Sequence, residues 1–141
     1  MKTVTDMPKI TLPALIENIE KATDFMNEAL ERAACPMRVQ MQLAIALDEL
    51  MSNVARYAYM PNTGDITISV EIHNDPRRVV LTLTDRGIPY DPLLKPPPDT
   101  TLSADERQIG GLGIFIVKRT MDSMHYEYKD GKNIVTIEKK F

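Results

Sequence analysis

The chain has 141 residues, enough for one domain with a buried core. Hydrophobic residues make up 43% of it and charged residues 26%, a composition typical of globular proteins rather than disordered ones. The formal net charge of −3 argues against direct nucleic-acid binding, which requires a basic surface.

Other function classes are disfavoured by what the sequence lacks. The single cysteine, Cys35, cannot form an internal disulfide, and no cysteine–histidine cluster has zinc-binding spacing. The first residues lack the apolar segment of a signal peptide, and no apolar run reaches transmembrane length. We therefore expect a cytoplasmic protein with no membrane partner.

The first half of the chain predicts one strand followed by two helices. Residues 3–10 suit an edge strand, because Pro8 cannot sit in the centre of a sheet. Residues 13–34 carry apolar side chains at steps of three and four, which predicts an amphipathic helix with Pro13 in its first turn. A second helix is predicted from Pro36 to about Tyr59, with its core stripe formed by Leu43, Leu47, Leu50 and Val54.

The second half predicts two hairpins separated by a loop and a helix. Residues 65–74 alternate apolar and polar side chains, and residues 79–84 form the second strand of that hairpin. Residues 88–109 are rich in proline and predict a long loop of the kind that forms functional lids. A helix is predicted from Gly113, and a closing hairpin turns at Asp130-Gly131 between the strands 124–129 and 133–139.

This order of elements predicts one domain over residues 1–141, with an α/β (α+β) two-layer sandwich fold. We expect a mostly antiparallel mixed sheet with three helices on one face. The other face of the sheet remains open for dimerisation or for a partner.

The second helix carries a candidate catalytic pair. Glu49 and Asn53 are four residues apart and therefore project from the same side of a helix. An amide oxygen at Asn53 suits the coordination shell of Mg²⁺, and a carboxylate one turn away is placed to accept a proton from an attacking hydroxyl. The alternative is a solvent-facing polar edge of the helix.

Asp85-Arg-Gly87 follows a predicted strand. A buried carboxylate at Asp85 could accept a hydrogen bond from the amino group of adenine, and Gly87 would let the backbone approach the base. The alternative is an ordinary turn at the exit of a hairpin.

Gly110-Gly-Leu-Gly113 precedes an apolar helix, and the free N–H groups at a helix start form a ready anion site. Glycine is also common where a loop meets a helix, so this motif by itself leaves both interpretations open. The sequence has no P-loop motif, which excludes that mode of phosphate binding.

The three segments together resemble a known family. LAIALDELMSNVARYAY, LTLTDRGIPYDPL and ERQIGGLGIFIVKRTMD resemble the N, G1 and G2 boxes of the Bergerat-type (GHKL) ATP-binding fold, in the same order. The likeness is closest to the anti-sigma-factor serine/threonine kinases of bacterial partner-switching systems. It extends from the first helix to the final strand.

The resemblance implies ATP and Mg²⁺ as cofactors and a role for each candidate residue. Glu49 would be the general base and Asn53 the Mg²⁺ ligand. Adenine would be held by Asp85 and Gly87 and supported by Thr136. The phosphates would lie beside Gly110, Gly111 and Gly113, with Arg107 as a candidate contact to the γ-phosphate.

The implied function is phosphorylation of a serine on a small anti-anti-sigma (STAS-like) antagonist protein. A sigma factor or another regulator would be a further partner, and homodimerisation through the open sheet face is expected. The first alternative is a nucleotide-dependent anti-sigma or adaptor module with little or no kinase activity. A second alternative is a protein that keeps this fold but no longer binds a nucleotide. A histidine-kinase catalytic domain is disfavoured, because neither His73 nor His125 lies in a predicted helix.

Overall fold

A computed structural model of the chain describes residues 4–59, 62–94 and 109–141. The order of helices and strands agrees with the predicted order, except that the first strand is interrupted. In chain order the elements are β1 (Val4–Asp6), β2 (Lys9–Pro13), α1 (Ile19–Arg32), α2 (Met37–Asn53), β3 (Asp65–His73), β4 (Arg78–Asp85), α3 (Ile109–Thr120), β5 (Ser123–Lys129) and β6 (Lys132–Lys140).

The strands form one antiparallel sheet in the order β1–β3–β4–β6–β5, with β2 also paired to β3. β1 and β2 lie along successive parts of β3 and therefore act as one interrupted edge strand. Pro8 lies in the interruption, where its carbonyl accepts a hydrogen bond of 3.0 Å from the Val70 N–H. The predicted edge position of this strand is confirmed, because an edge tolerates a residue that lacks an N–H.

The first helix begins later than predicted. Pro13 is the last residue of β2 and pairs with Asp65, so the predicted helix start at Pro13 is wrong. A 3₁₀ turn at Ile16–Asn18 leads into α1, and the Asn18 Nδ2 donates back to the Pro13 carbonyl at 2.8 Å. A proline suits an edge strand as well as a first helical turn, and strand pairing decides between the two here.

The second helix ends in a wider turn. The α-helical pattern stops at Asn53, and Val54–Ala58 continue as a π-helical turn up to Tyr59, which agrees with the predicted end. The wider turn changes the angular spacing of the residues after Asn53. Tyr57 is consequently 42% exposed although Asn53 is only 5% exposed, so these two residues do not share an environment.

The core lies between the helices and one face of the sheet. The alternating apolar residues of β3 are buried, as the predicted alternation requires. Val79, Leu81 and Leu83 of β4 are buried as well, and both sets pack in one core with the apolar side of α2. The fully buried side chains include Leu43, Leu47, Ile66, Ile68, Leu81 and Ile137. The closing turn has positive φ angles of 54° at Asp130 and 76° at Gly131, as expected for a tight hairpin at Asp-Gly.

In the described part of the chain, no helix is long and apolar enough to cross a membrane.

The packing predicts that substitutions at two positions on α2 have different effects on the free energy of unfolding. Leu47 is fully buried, so Leu47→Ala should lower the free energy of unfolding by about 2–5 kcal/mol in urea titrations. Met41 is 60% exposed on the same helix, and Met41→Ala should change the free energy of unfolding by less than about 0.5 kcal/mol. Equal losses at both positions would contradict this packing.

Candidate functional site

A cavity lies between the end of α2 and the ends of β4 and β6. It brings together two of the predicted site residues, Asn53 and Asp85, which come from different segments of the chain. Its lining residues are Leu50, Asn53, Val54, Ala58, Leu83, Asp85, Tyr90, Pro92, Asn133 and Val135. The floor is apolar and the polar groups are few, which is the usual construction of a small-molecule site.

Asp85 is the buried charged group of this cavity. It is the last residue of β4 and only 6% exposed. Its Oδ1 accepts two hydrogen bonds of 2.9 Å, from the Gly87 N–H and from the Asn133 Nδ2. Burial raises the pKa of this carboxyl above its ordinary value of 3.8, and the two hydrogen bonds oppose that effect.

Gly87 holds the turn after β4 against the end of α2. A Cβ at this position would overlap the backbone carbonyl and the side chain of Ala58. The next residue, Ile88, donates its N–H to the same Ala58 carbonyl at 2.8 Å. The absence of a side chain at Gly87 therefore serves a close backbone approach between two protein segments, and this fixes the turn that supplies a hydrogen bond to Asp85.

Glu49 lies against the start of α3. A Cβ placed on Gly113 would overlap the Glu49 carboxylate, so the glycine provides the space that this side chain occupies. Glu49 is half-buried and lies one helical turn before Asn53 on α2. The predicted base and the last glycine of the glycine-rich motif are therefore direct neighbours.

The glycine-rich motif lies within α3 rather than before it. The helix begins at Ile109, so Gly110, Gly111 and Gly113 belong to its first turns, and the predicted start at Gly113 is wrong. Glycine accepts helical backbone angles at a cost of about 1 kcal/mol relative to alanine, which neighbouring packing can offset. The unpaired N–H groups of the helix start remain a favourable location for an anion. Arg107 lies outside the described residues.

Asn53 is a buried amide with no hydrogen-bond partner among the residues that the structure describes. Within the described residues neither its Oδ1 nor its Nδ2 has a partner, although the side chain is only 5% exposed. Each buried polar atom left without a partner costs about 1–3 kcal/mol, so native proteins rarely keep one without a reason. Its position at the cavity wall points to a ligand atom as the missing partner.

Thr136 is not part of the cavity. It lies on β6 opposite Thr82 and His125, on the face of the sheet that points away from the helices. Asn133, three residues earlier, is on the cavity side and 2% exposed. The two-residue period of a strand could have predicted that Asn133 is buried, because it lies on the same face of β6 as Val135 and Ile137, which are buried in the core.

Tyr90 lines the cavity and packs against Tyr57 of the π-helical turn. The rings of Tyr57 and Tyr90 stack with 5.6 Å between centroids and 4° between their planes.

The described residues offer no dedicated metal cage. They contain no group of three or more histidine, cysteine, aspartate or glutamate side chains that could hold a metal ion. An ion bound near Asn53 would therefore take most of its ligands from water or from a bound molecule. Mg²⁺ is typically held in this way beside phosphates.

Comparison with known proteins identifies the family. Residues 12–139 match the histidine kinase-like ATPase domain, and the chain belongs to this family. The expected likeness to the Bergerat-type (GHKL) ATP-binding fold is thus confirmed.

Two relatives are protein kinases. The chain is 29% identical over 100 residues to the serine/threonine-protein kinase BtrW of Bordetella bronchiseptica, covering 71% of this chain and 70% of BtrW. It is 26% identical over 140 residues to the serine-protein kinase RsbW of Listeria monocytogenes, covering 96% of this chain and 88% of RsbW.

A solved structure confirms the fold. The crystal structure of the RsbU and RsbW domains of Rv1364c from Mycobacterium tuberculosis matches with a TM-score of 0.68 at 16% identity. The match covers 96% of this chain and 32% of that chain, so the present chain spans about a third of it. The two-layer α+β architecture with one antiparallel sheet is shared.

The raised pKa of Asp85 predicts a pH-dependent stability. The folded state binds this proton more tightly than the unfolded chain does. The resulting stabilisation is fully present below pH 3.8 and is lost as the pH rises through the raised folded pKa. Asp85→Asn should therefore be at least as stable as the wild type at pH 7, and this advantage should shrink at pH 4.5 in urea titrations.

The control for this measurement is Asp24→Asn, at an exposed position on α1, which should change the free energy of unfolding by less than about 0.5 kcal/mol. A destabilised Asp85→Asn protein at pH 7 would contradict the conclusion that burial of this charge opposes folding.

Proposed function

We propose that this chain is an ATP-dependent serine protein kinase that phosphorylates a small antagonist protein in a bacterial partner-switching system. The observation that carries the proposal is one cavity that contains both the unpartnered amide of Asn53 and the buried carboxylate of Asp85. Glu49 lies one helical turn before Asn53 on α2, and its carboxylate lies against Gly113 at the start of α3. The kinase relatives and the family membership support the same assignment.

Asp85 is suited to bind the adenine base. Its Oδ1 is already occupied by Gly87 and Asn133, and the Oδ2 is available to accept a hydrogen bond from an exocyclic amino group. Leu50, Leu83 and Val135 supply the apolar surfaces between which a flat ring packs. The base would therefore be held by burial and oriented by one carboxylate.

Asn53 fits a magnesium site. A neutral amide oxygen is a hard ligand, and its lack of an internal partner leaves it free to coordinate. When bound, Mg²⁺ would neutralise charge on the phosphates during transfer. The start of α3 would bind the phosphates through its backbone N–H groups, with Gly110 and Gly111 allowing close approach.

Glu49 would act as the general base. Its carboxylate is held between α2 and the start of α3, where the terminal phosphate would lie. From there it would accept the proton of a substrate serine hydroxyl as that hydroxyl attacks. The phosphate added to the partner brings about two negative charges to the interface, and this promotes release.

A labelled-phosphate assay tests the proposed activity. The purified chain is incubated with γ-labelled ATP and each single-domain antagonist protein encoded in the same genome. Label transferred to a serine of one antagonist supports the kinase. Label that stays on the nucleotide while ATP-dependent binding persists would instead establish an adaptor module without phosphoryl transfer.

The role of Asn53 predicts a specific loss. Asn53→Ala should remove the Mg²⁺-dependent part of ATP affinity in isothermal titration. The free energy of unfolding should be unchanged or higher, because the amide has no internal partner within the described residues. Asn62→Ala, at an exposed asparagine, is the matched control. Unchanged Mg²⁺ dependence in Asn53→Ala would remove this residue from the metal site.

The role of Glu49 predicts a loss of rate without a loss of binding. Glu49→Gln should bind ATP normally and slow phosphoryl transfer by about 10²–10⁴-fold. The neighbouring carboxylate Asp48 is exposed, about 100° around the helix, and Asp48→Asn should transfer at the wild-type rate. A Glu49→Gln protein with wild-type transfer would show that another group takes the proton.

A further inference from the structure

Asn133 is the centre of a hydrogen-bond network that joins four segments of the chain. Its Nδ2 donates to the Asp85 Oδ1 at 2.9 Å and to the Ile88 carbonyl at 2.8 Å. Its Oδ1 accepts from the Tyr90 N–H at 3.1 Å and from the Tyr126 hydroxyl. The side chain is only 2% exposed, so these partners replace water almost completely.

The chemistry of the partners fixes the orientation of this amide. A carboxylate and a backbone carbonyl accept hydrogen bonds only, and they lie at the Nδ2. A backbone N–H donates only, and it lies at the Oδ1. The reversed amide would place acceptor against acceptor and donor against donor, so only one orientation satisfies all the groups.

We propose that Asn133 is a positioning residue that determines which purine the site accepts. It holds the Oδ1 of Asp85 and thereby keeps the Oδ2 as the acceptor available to a ligand in the cavity. The proposal rests on the proposed nucleotide-binding function and adds a base preference to it. An exocyclic amino group, as in adenine, donates to this oxygen.

Guanine is disfavoured by the same arrangement. It presents a carbonyl oxygen where adenine has its amino group, and two acceptors facing each other in a buried site are repulsive. Without Asn133 the Asp85 carboxylate retains only the Gly87 N–H as a donor within the described residues. It can then rotate or take up a proton, and a protonated carboxyl can donate to a carbonyl. Loss of Asn133 should therefore weaken ATP binding and improve the relative binding of GTP.

The test is isothermal titration of the wild type and Asn133→Ala with ATP and with GTP, at one Mg²⁺ concentration. The wild type should prefer ATP. In Asn133→Ala the ratio of the two affinities should fall by about 10- to 100-fold, as expected for the loss of a buried hydrogen bond to a charged group. Thr136→Ala, on the same strand but on the opposite face, should keep the wild-type ratio.

The outcomes separate the two proposals. A wild type that binds neither nucleotide would overturn the nucleotide-binding function and the base preference with it. A wild type that prefers ATP, together with a folded Asn133→Ala protein of unchanged preference, would overturn the role of Asn133 alone. Thermal unfolding of each variant shows whether it is folded under the titration conditions.

Asn133→Asp provides a second test that keeps the shape of the side chain. It places a second carboxylate beside Asp85, and the pair should share one proton near neutral pH. The affinity for ATP should fall as the pH rises from 6.5 to about 8.5, because both carboxylates then ionise and repel each other. Tyr59 and Tyr126 also face Asp85, but burial raises the pKa of both phenols, so they stay neutral in this range.

The wild type has one carboxyl here instead of two, so its affinity for ATP should depend less on pH over the same range. Asp91, which lies near Tyr126, and Arg86, which lies near Tyr59, are present in both proteins and cancel in the comparison. A flat profile for Asn133→Asp would overturn the proposed coupling between residue 133 and the base-binding carboxylate.

Discussion

The burial of the Asp85 carboxylate is the constraint on which the cavity depends. A carboxylate removed from water costs several kcal/mol unless donors replace the lost hydration. Two donors do so, the Gly87 N–H and the Asn133 Nδ2, and they come from the turn after β4 and from the start of β6. The turn is itself held by the close approach of Gly87 to Ala58. The cavity wall, the end of α2 and the central strands therefore stabilise one another.

α2 serves the core and the site at once. Leu47 and Leu50 are buried in the core, whereas Glu49 and Asn53 lie on the adjoining side that faces the cavity and α3. The core contacts thus fix the positions of the polar groups, which is what a preorganised site requires. Among the described residues the Asn53 amide has no partner, which costs about 1–3 kcal/mol for each of its two polar atoms, and the packing of the same helix offsets this loss.

Periodicity alone predicts most of the fold, because the strands alternate strictly and α2 has a continuous apolar stripe. It does not locate the start of α1, since Pro13 suits both a strand edge and a helix start, and only the pairing with Asp65 separates the two. The resemblance places Glu49, Asn53 and Asp85 in segments that the structure brings together. It does not reveal Asn133, because the role of this asparagine depends on its contacts with Asp85 and Tyr90, which lie 48 and 43 residues away in the sequence.

The two ends of the Asn133 amide bind different parts of the cavity wall. The Nδ2 end binds Asp85 and Ile88, and Ile88 is also fixed through its N–H to Ala58, so this part of the wall is held from both sides. The Oδ1 end binds the Tyr90 N–H, which lies within the predicted lid segment 88–109, and the Tyr126 hydroxyl of β5. The Asp85 contact is on the other end of the amide, so the orientation of this carboxylate does not depend on the Tyr90 contact.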